Sequence, residues 1–292
     1  MTTFIEPSAT RVARLSRWVR ENPLFSLGIA MVLLIVIFGV FAPLIAPYPA
    51  DASTATHPFA TLSPPSSTHP FGTDQVGRDV LSRVIYGIRI SPIIAAAVIA
   101  SSCIIGIPLG LIAAYFGGIV DEIIMRITDI FLAVPALLLA LAFAVVLPPS
   151  ILSTVIAIGV AWWPWYARLV RGEAKSVITR RYIENARVLG LRNWRVIFRH
   201  VLPNSITPVI VQASLDFGGI ILTAASLAFL GLGAQDPTPD WGLMVNQGQG
   251  YFSTQWWVVT FPGITILFAA LAFNLVGDGI HGVLNPRRVV IR

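Results

Sequence analysis

One lysine, one cysteine and few charges of either sign set the first limits on this chain. Cys103 is the sole cysteine among 292 residues, so an intrachain disulfide is excluded. Lys175, the sole lysine, stands in Glu-Ala-Lys-Ser with no glycine-rich loop before it. The phosphate-cradling Gly-x-x-x-x-Gly-Lys-Ser/Thr loop is therefore absent, and ATP hydrolysis by that route is excluded. If ATP drives this protein, the ATPase is another polypeptide. The four histidines, His57, His69, His200 and His281, lack ligand spacing such as His-Glu-x-x-His. His57 and His69 flank a proline-rich stretch and read as solvated loop residues, so no metal site is expected. No cluster of His, Glu, Asp or Ser falls inside an apolar run, so no catalytic residue is assigned either.

What the chain has in quantity is apolar sequence. Hydrophobic residues make up 55%, charged residues 12%, and mean hydropathy is +0.77, too apolar for a soluble domain of this length. A helix crosses the hydrocarbon layer with roughly 20 apolar residues. Uncharged windows give six such spans, near residues 24–46, 91–115, 127–147, 151–168, 205–231 and 257–278. The first is longer than a signal-peptide core and reads as a retained anchor. Gly106, Pro108 and Gly110 are expected to bend the second, and Pro148-Pro149-Ser150 separates the third from the fourth. The expected fold is all-α and polytopic, with six transmembrane helices. Its parts are a basic segment at 1–23, the first span at 24–46, an external loop at 47–89, a five-helix core at 90–280 and a tail at 281–292.

Basic residues near span ends stay on the cytoplasmic side. With the N-terminus inside, that side holds Arg11, Arg14, Arg17, Arg20, Arg126, the basic residues from Arg168 to Arg199, and Arg287, Arg288 and Arg292. Only Arg78, Arg83 and Arg89 remain outside, so both termini are expected in the cytoplasm. The formal charge of +6 then reflects topology and contact with lipid headgroups, and no nucleic-acid partner is expected.

The most charged segment lies between the fourth and fifth spans, at about residues 169–204. From Tyr182 to Asn204 it reads as two short amphipathic helices joined at Gly190. Ile178, Tyr182, Ala186 and Leu189 form one apolar stripe, and Trp194, Ile197, Phe198 and Val201 the other. Gly190 permits a sharp reversal, and Pro203 ends the second helix. Taken alone, this pattern fits a docking surface for a separate machine or a hairpin lying passively on lipid.

The same segment closely resembles the loop motif of importer-type ABC permeases: Glu-Ala-Ala, three residues, Gly, nine residues, Ile-x-Leu-Pro. Glu184, Ala186, Gly190, Leu202 and Pro203 match. Asn185 replaces one alanine, and His200 stands where the generic motif has isoleucine, as in the Arg-His-x-Leu-Pro-Asn ending of the peptide branch. Further blocks point the same way. They include Ala-Pro-Leu-Ile-Ala-Pro-Tyr (42–48), Pro-Phe-Gly-Thr-Asp-Gln-Val-Gly-Arg-Asp-Val-Leu-Ser-Arg (70–83), Ser-Leu-Ala-Phe-Leu-Gly-Leu-Gly-Ala-Gln (226–235) and Leu-Ala-Phe-Asn-Leu-Val-Gly-Asp-Gly (271–279). The ordered set is similar to the C-type permease of dipeptide, oligopeptide and nickel importers.

That resemblance implies a type I ABC importer permease in a prokaryotic plasma membrane, the inner membrane if Gram-negative. It implies a homologous second permease, two ATPase subunits or domains and an extracytoplasmic binding protein as partners. ATP and Mg²⁺ would sit on the ATPases, leaving no cofactor on this chain. Peptides are the expected cargo, with nickel, glutathione or another small solute as the alternative. Tyr182, Glu184, Ala186, Gly190, Leu202 and Pro203 would form the coupling loop.

Three features outside the loop stay open. Asp216 is the one acid deep inside an expected span, Asp129 and Asp278 standing near span ends, and a carboxylate there needs a cavity or a partner. It either lines the pathway, caps a neighbouring helix or meets an arginine of the second permease, and Asn274 in the sixth span shares that candidacy. Asp74, Arg78 and Asp79 can pair within the external loop, as part of the mouth or as a structural cap. Trp162, Trp163 and Trp165 read as interfacial anchors. A stand-alone ion-coupled transporter, the rival from another class, wants several intramembrane ionisable groups and internal repeats; here there is Asp216 and no evident repeat.

Overall fold

Apolar runs of this length leave the backbone one way to satisfy its amides away from water, which is the helix. A computed structural model describes residues 21–284, and helices make up most of it. The arginines expected at the inner surface near both termini, Arg11 to Arg20 and Arg287 to Arg292, lie outside the described residues.

Helix α1, Pro23–Val40, starts on a proline at the position where its missing amide costs nothing, and α2 is the short Ala42–Ile45. The first expected span is thus interrupted at Phe41, ahead of Pro43. An irregular cap follows, and α3, Val80–Gly87, begins where the Asp79 carboxylate accepts from the Ser82 amide at 2.8 Å. Helix α4, Ser91–Phe116, meets expectation closely and continues through Pro108. The third expected span is not one helix. Helices α5, Gly118–Leu132, and α6, Ala136–Val146, meet at 86° beside Pro135, a residue that can neither donate nor continue a helix without a clash.

Helix α7, Ile151–Ile178, outruns its expected end at residue 168, so the connecting segment begins as a continuation of that helix. Helices α8, Arg181–Val188, and α9, Asn193–Val196, lead into a π-helical turn, Ile197–Val201. Helix α10 is Leu202–Ser205, α11 Thr207–Phe229, α12 Trp241–Gly248 and α13 Trp257–Leu284. Among the described residues, four helical stretches are long and apolar enough to cross a membrane, and the bent pair α5–α6 makes up to five. Helix α7 is not among them. Its Trp162-Trp163-Pro164-Trp165-Tyr166 run dilutes the hydropathy of its apolar half before Arg168 arrives.

Small residues set the closest contacts. A Cβ on Gly106 would stand 2.6 Å from the Trp163 carbonyl oxygen, and one on Gly110 would stand 2.5 Å from that of Ala167. These two glycines, four residues apart, give α4 a flat face against α7, the small-xxx-small contact of membrane helices. Helix α1 lies on α13 by the same device, with Phe25 over Gly279 and Gly28 against Leu275. Two apolar cores result. One joins α3, α4, α7, α11 and α12 around Val84, Val98, Ile158, Leu227 and Trp241; the other joins α4, α7 and the 178–206 segment around Leu111, Tyr166, Val177, Ile183 and Val201. Outward from these, Leu33, Leu34, Ile37, Ile104 and Leu267 remain exposed, a surface suited to hydrocarbon.

Candidate functional site

Helix α8 ends in a defined cap. The Gly190 amide donates to Arg187 O at 2.9 Å and the Leu191 amide to Ala186 O at 3.2 Å, with Gly190 at φ +75°. This is the Schellman arrangement, whose left-handed residue is best supplied by glycine. The reversal expected at Gly190 is present, and the space beside it is open.

The apolar stripes differ from those expected. In the first, Ala186 is buried, but Tyr182 and Leu189 face outward, Leu189 at 78% exposure. Ile183, one position round, is the fully buried anchor. In the second, Ile197 and Val201 are buried with Val196, whereas Trp194 and Phe198 are 53% and 55% exposed. Helices of this length rest on α7 by a narrow face, and the π turn moves the register in mid-segment. The outcome is a set of apolar side chains left exposed along the segment, Tyr182, Val188, Leu189, Trp194 and Phe198. In the same segment Arg180, Arg181, Arg192 and Arg199 are exposed and without an ion pair among the described residues. Glu184 is likewise exposed, Leu202 is half-buried and Pro203 exposed.

Two connections tie this segment to the long helices. The Tyr115 hydroxyl at the end of α4 donates to Asn193 Oδ1 at 2.9 Å, and the Arg187 guanidinium lies 4.6 Å from the centre of the same ring. On α5, Asp121 accepts from Arg171 Nη2 at 2.7 Å and from Lys175 Nζ at 2.7 Å, both on α7. The hydrogen bonds from Arg171 hold the Asp121 carboxyl down at about 2, against the upward push of burial and with Lys175 adding to the lowering. Arg168 also pairs with Asp129. Reading the sequence missed these anchors; their signal was three basic residues at helical spacing, Arg168, Arg171 and Lys175, facing Asp129 and Asp121 on another helix, in a chain with few charges to place.

At the far end of α4, the cap holds its charges inside. Asp74, Arg78 and Asp79 are each buried. Arg78 donates from Nε to Asp74 at 2.8 Å and from Nη1 to Asp236 at 2.9 Å. Asp79 caps α3, its Oδ1 lies 3.0 Å from His69 Nδ1 and accepts from it in the tautomer that carries the proton there, and its amide donates to Asp51 Oδ2 at 2.7 Å. His57 pairs with Asp51 rather than with His69. Arg83, also missed from the sequence, is fully buried and donates to the carbonyl of Asp51 at 3.1 Å.

Asp216 on α11 has both carboxylate oxygens engaged within the chain, accepting from Tyr166 at 2.9 Å and from Gln212 at 2.8 Å. Asn274 sits on α13 against Gly218 and is exposed. The coupling-loop candidates share one segment, in which Ala186 and Leu202 belong to the same core, and Asp74 and Arg78 pair within the cap, while Asp216 and Asn274 lie on neighbouring helices.

Residues 106–290 match the family described as binding-protein-dependent transport system inner membrane component, and residues 16–65 match the N-terminal TM domain of oligopeptide transport permease C. The chain is 43% identical to the probable D,D-dipeptide transport system permease protein DdpC of Escherichia coli, over 94% of this chain and 91% of that one. It is 44% identical to the di/tripeptide transport system permease protein DppC of Pseudomonas aeruginosa, over 89% and 87%. Among solved structures, an inward-facing MetNI methionine ABC transporter matches with a TM-score of 0.54 at 18% identity, covering 69% of this chain and 96% of that one. That likeness supports an ABC importer permease fold.

Proposed function

The chain belongs to the binding-protein-dependent inner-membrane permease family, and from that premise we propose that it carries di- or oligopeptides inward, with its 178–206 segment as the ATPase seat. It is the non-catalytic, multi-pass permease component of an ABC importer. Peptide cargo is supported by the names of its relatives. Its partners are ATPase and binding-protein components, and in our reading a homologous second permease completes the pathway. ATP and Mg²⁺ then belong to the ATPases.

We read six spans, α7 supplying the one that hydropathy alone misses, with both termini in the cytoplasm and the 178–206 segment on that side. In this arrangement the basic 1–23 segment and the 281–292 tail flank the first span and a five-helix core. The cap at 47–89 then faces outward, with Asp74, Arg78 and Asp79 holding the shape of the mouth. Asp216 and Asn274 belong to the pathway or to the contact with the second permease.

One observation carries the coupling role: apolar side chains left exposed, Tyr182, Leu189, Trp194 and Phe198, in a segment whose Arg180, Arg181, Arg192 and Arg199 are exposed and have no ion pair among the described residues, all seated on a well-packed base. Interfaces favour aromatic and arginine side chains of this sort. Glu184 and Gly190 set the edge and the turn of that segment, with Ala186 anchoring it and Leu202 and Pro203 returning the chain to α11. Closure of the ATPases then moves α4 through Tyr115 and α7 through its continuity with α8, and the Asp121 clamp brings α5 with them.

Affinity purification of the importer in mild detergent tests this, comparing wild type with Glu184→Arg plus Gly190→Trp. Loss of the ATPases with retention of the second permease is expected. A double variant that keeps its ATPases and its stimulated hydrolysis sinks the coupling assignment.

A further inference from the structure

We propose that Arg89 and the two grooves beside it form a binding site for one anionic phospholipid, a proposal that rests on reading this chain as a membrane permease. Arg89 stands between α3 and α4, its backbone amide donating to Tyr86 O at 3.0 Å. Its side chain is exposed and, among the described residues, has neither an ion pair nor a hydrogen bond. The cap's other two arginines, Arg78 and Arg83, are buried among carboxylates and carbonyls, so Arg89 is the cap's one cation left outward.

The surroundings of Arg89 are apolar and divided. One groove is bounded by Leu34, Phe38, Val84 and Phe268; the other, with Arg89 on its rim, by Val36, Gly39, Pro92, Ile93 and Phe273. Ile35 and Ile88 line both grooves and form the ridge between them. Gly39 lets α1 approach that ridge, since a Cβ there would stand 3.0 Å from Ile88 Cγ2. A cation lining one of two adjoining apolar grooves, next in sequence to the Ile88 that they share, matches an amphiphile with one anionic headgroup and two acyl chains.

The level is also right. Gly39 is next to the end of α1 at Val40, and Arg89 precedes the start of α4 at Ser91. Arg89 is therefore where two spans leave the hydrocarbon and headgroup phosphates lie. The site would pin α1 to the α3–α4 junction from the lipid side, at the opposite end from the Phe25–Gly279 contact.

Native mass spectrometry of the intact importer, released from micelles with equal phosphatidylglycerol and phosphatidylcholine of matched chains, tests the site in wild type, Arg89→Gln and Arg89→Lys. Wild type and Arg89→Lys are expected to retain a phosphatidylglycerol on this chain. Arg89→Gln should retain it about fivefold less, the factor equivalent to about 1 kcal/mol per basic residue at an anionic surface. Equal retention in Arg89→Gln, or phosphatidylcholine held as well as phosphatidylglycerol, overturns the proposal. So does a photo-crosslinker at Val36 that captures the second permease in place of lipid. The same spectra count ATPase and permease subunits, so a failure of the importer reading shows as missing subunits, separately from missing lipid.

Discussion

The two ends of α4 use the same residue types in opposite ways. At the cap, Asp51, Asp74, Arg78, Asp79 and Arg83 are all buried and bound to one another or to backbone. At the 178–206 segment, Arg180, Arg181, Arg192 and Arg199 are exposed, and Glu184 has no ion pair among the described residues. A loop that consumes its charges internally is held in one shape by them, whereas a loop that leaves them outward keeps them for another molecule. Exposure and pairing, rather than charge content, separate scaffold from docking surface here.

The largest test of that contrast is Arg78→Ala. Removing Arg78 from this buried cluster leaves Asp74 with only the longer contact to Arg83, at 3.8 Å, and is expected to destabilise the chain by about 3–5 kcal/mol. The same truncation at Arg192 or Arg199 should stay within about 0.5 kcal/mol. Thermal unfolding in detergent measures both. Similar losses at the two ends would break the comparison.

Leu189→Asp is the next, and it acts on binding instead of folding. A charged group in place of an exposed apolar side chain of the docking segment is expected to weaken ATPase association by about 2 kcal/mol, roughly thirtyfold. The permease's own unfolding temperature should hardly move, because the Leu189 side chain is largely exposed. A fall in stability without a fall in ATPase affinity would put Leu189 in the fold rather than in the interface.

The contrast also explains what the sequence could show. Helix positions followed from uncharged runs, and α4 and α11 fall close to their expected limits because nothing competes with the helix there. Pro135 was visible but was read as part of one span; whether a proline kinks a helix or breaks it at 86° depends on what packs around it. At Gly190 the backbone demand is local, so the turn was legible. The outward set Tyr182, Leu189, Trp194 and Phe198 was not separable from the inward set Ile183, Val196 and Val201, since both are apolar at helical spacing and only the packing on α7 distinguishes them. Likewise Asp216 was recognisable as a costly acid, while its partner Tyr166 lies 50 residues away, among aromatics that read as interfacial anchors.

That partner gives a smaller test. Tyr166→Phe removes one of two donors to Asp216 and leaves Gln212, so a loss of about 1 kcal/mol is expected. Asp216→Asn should retain the second permease on co-purification, the outcome that assigns Asp216 to the pathway, since Tyr166 and Gln212 already hold its carboxylate within this chain. Loss of the second permease would mean that Asp216 reaches across the subunit contact after all, and that the ends of α4 are not the only places where charge faces a partner.

The smallest expected effect belongs to the Asp121 clamp, which lies between the two extremes: its carboxylate is largely covered, yet Lys175 is 44% exposed. Partly solvated pairs contribute up to about 1 kcal/mol and weaken with salt, so Asp121→Asn should be mild. Its pH dependence is the sharper reading. The folded carboxyl is held at about 2, below the ordinary value of about 3.9, so its contribution is complete above that ordinary value and disappears as pH falls through about 2. The stability difference between wild type and Asp121→Asn should therefore be constant from about pH 7 to about pH 5 and vanish near pH 2. A difference that persists at the acid end would assign Asp121 a role in packing, like the carboxylates of the cap, and not in joining α5 to α7 through charge.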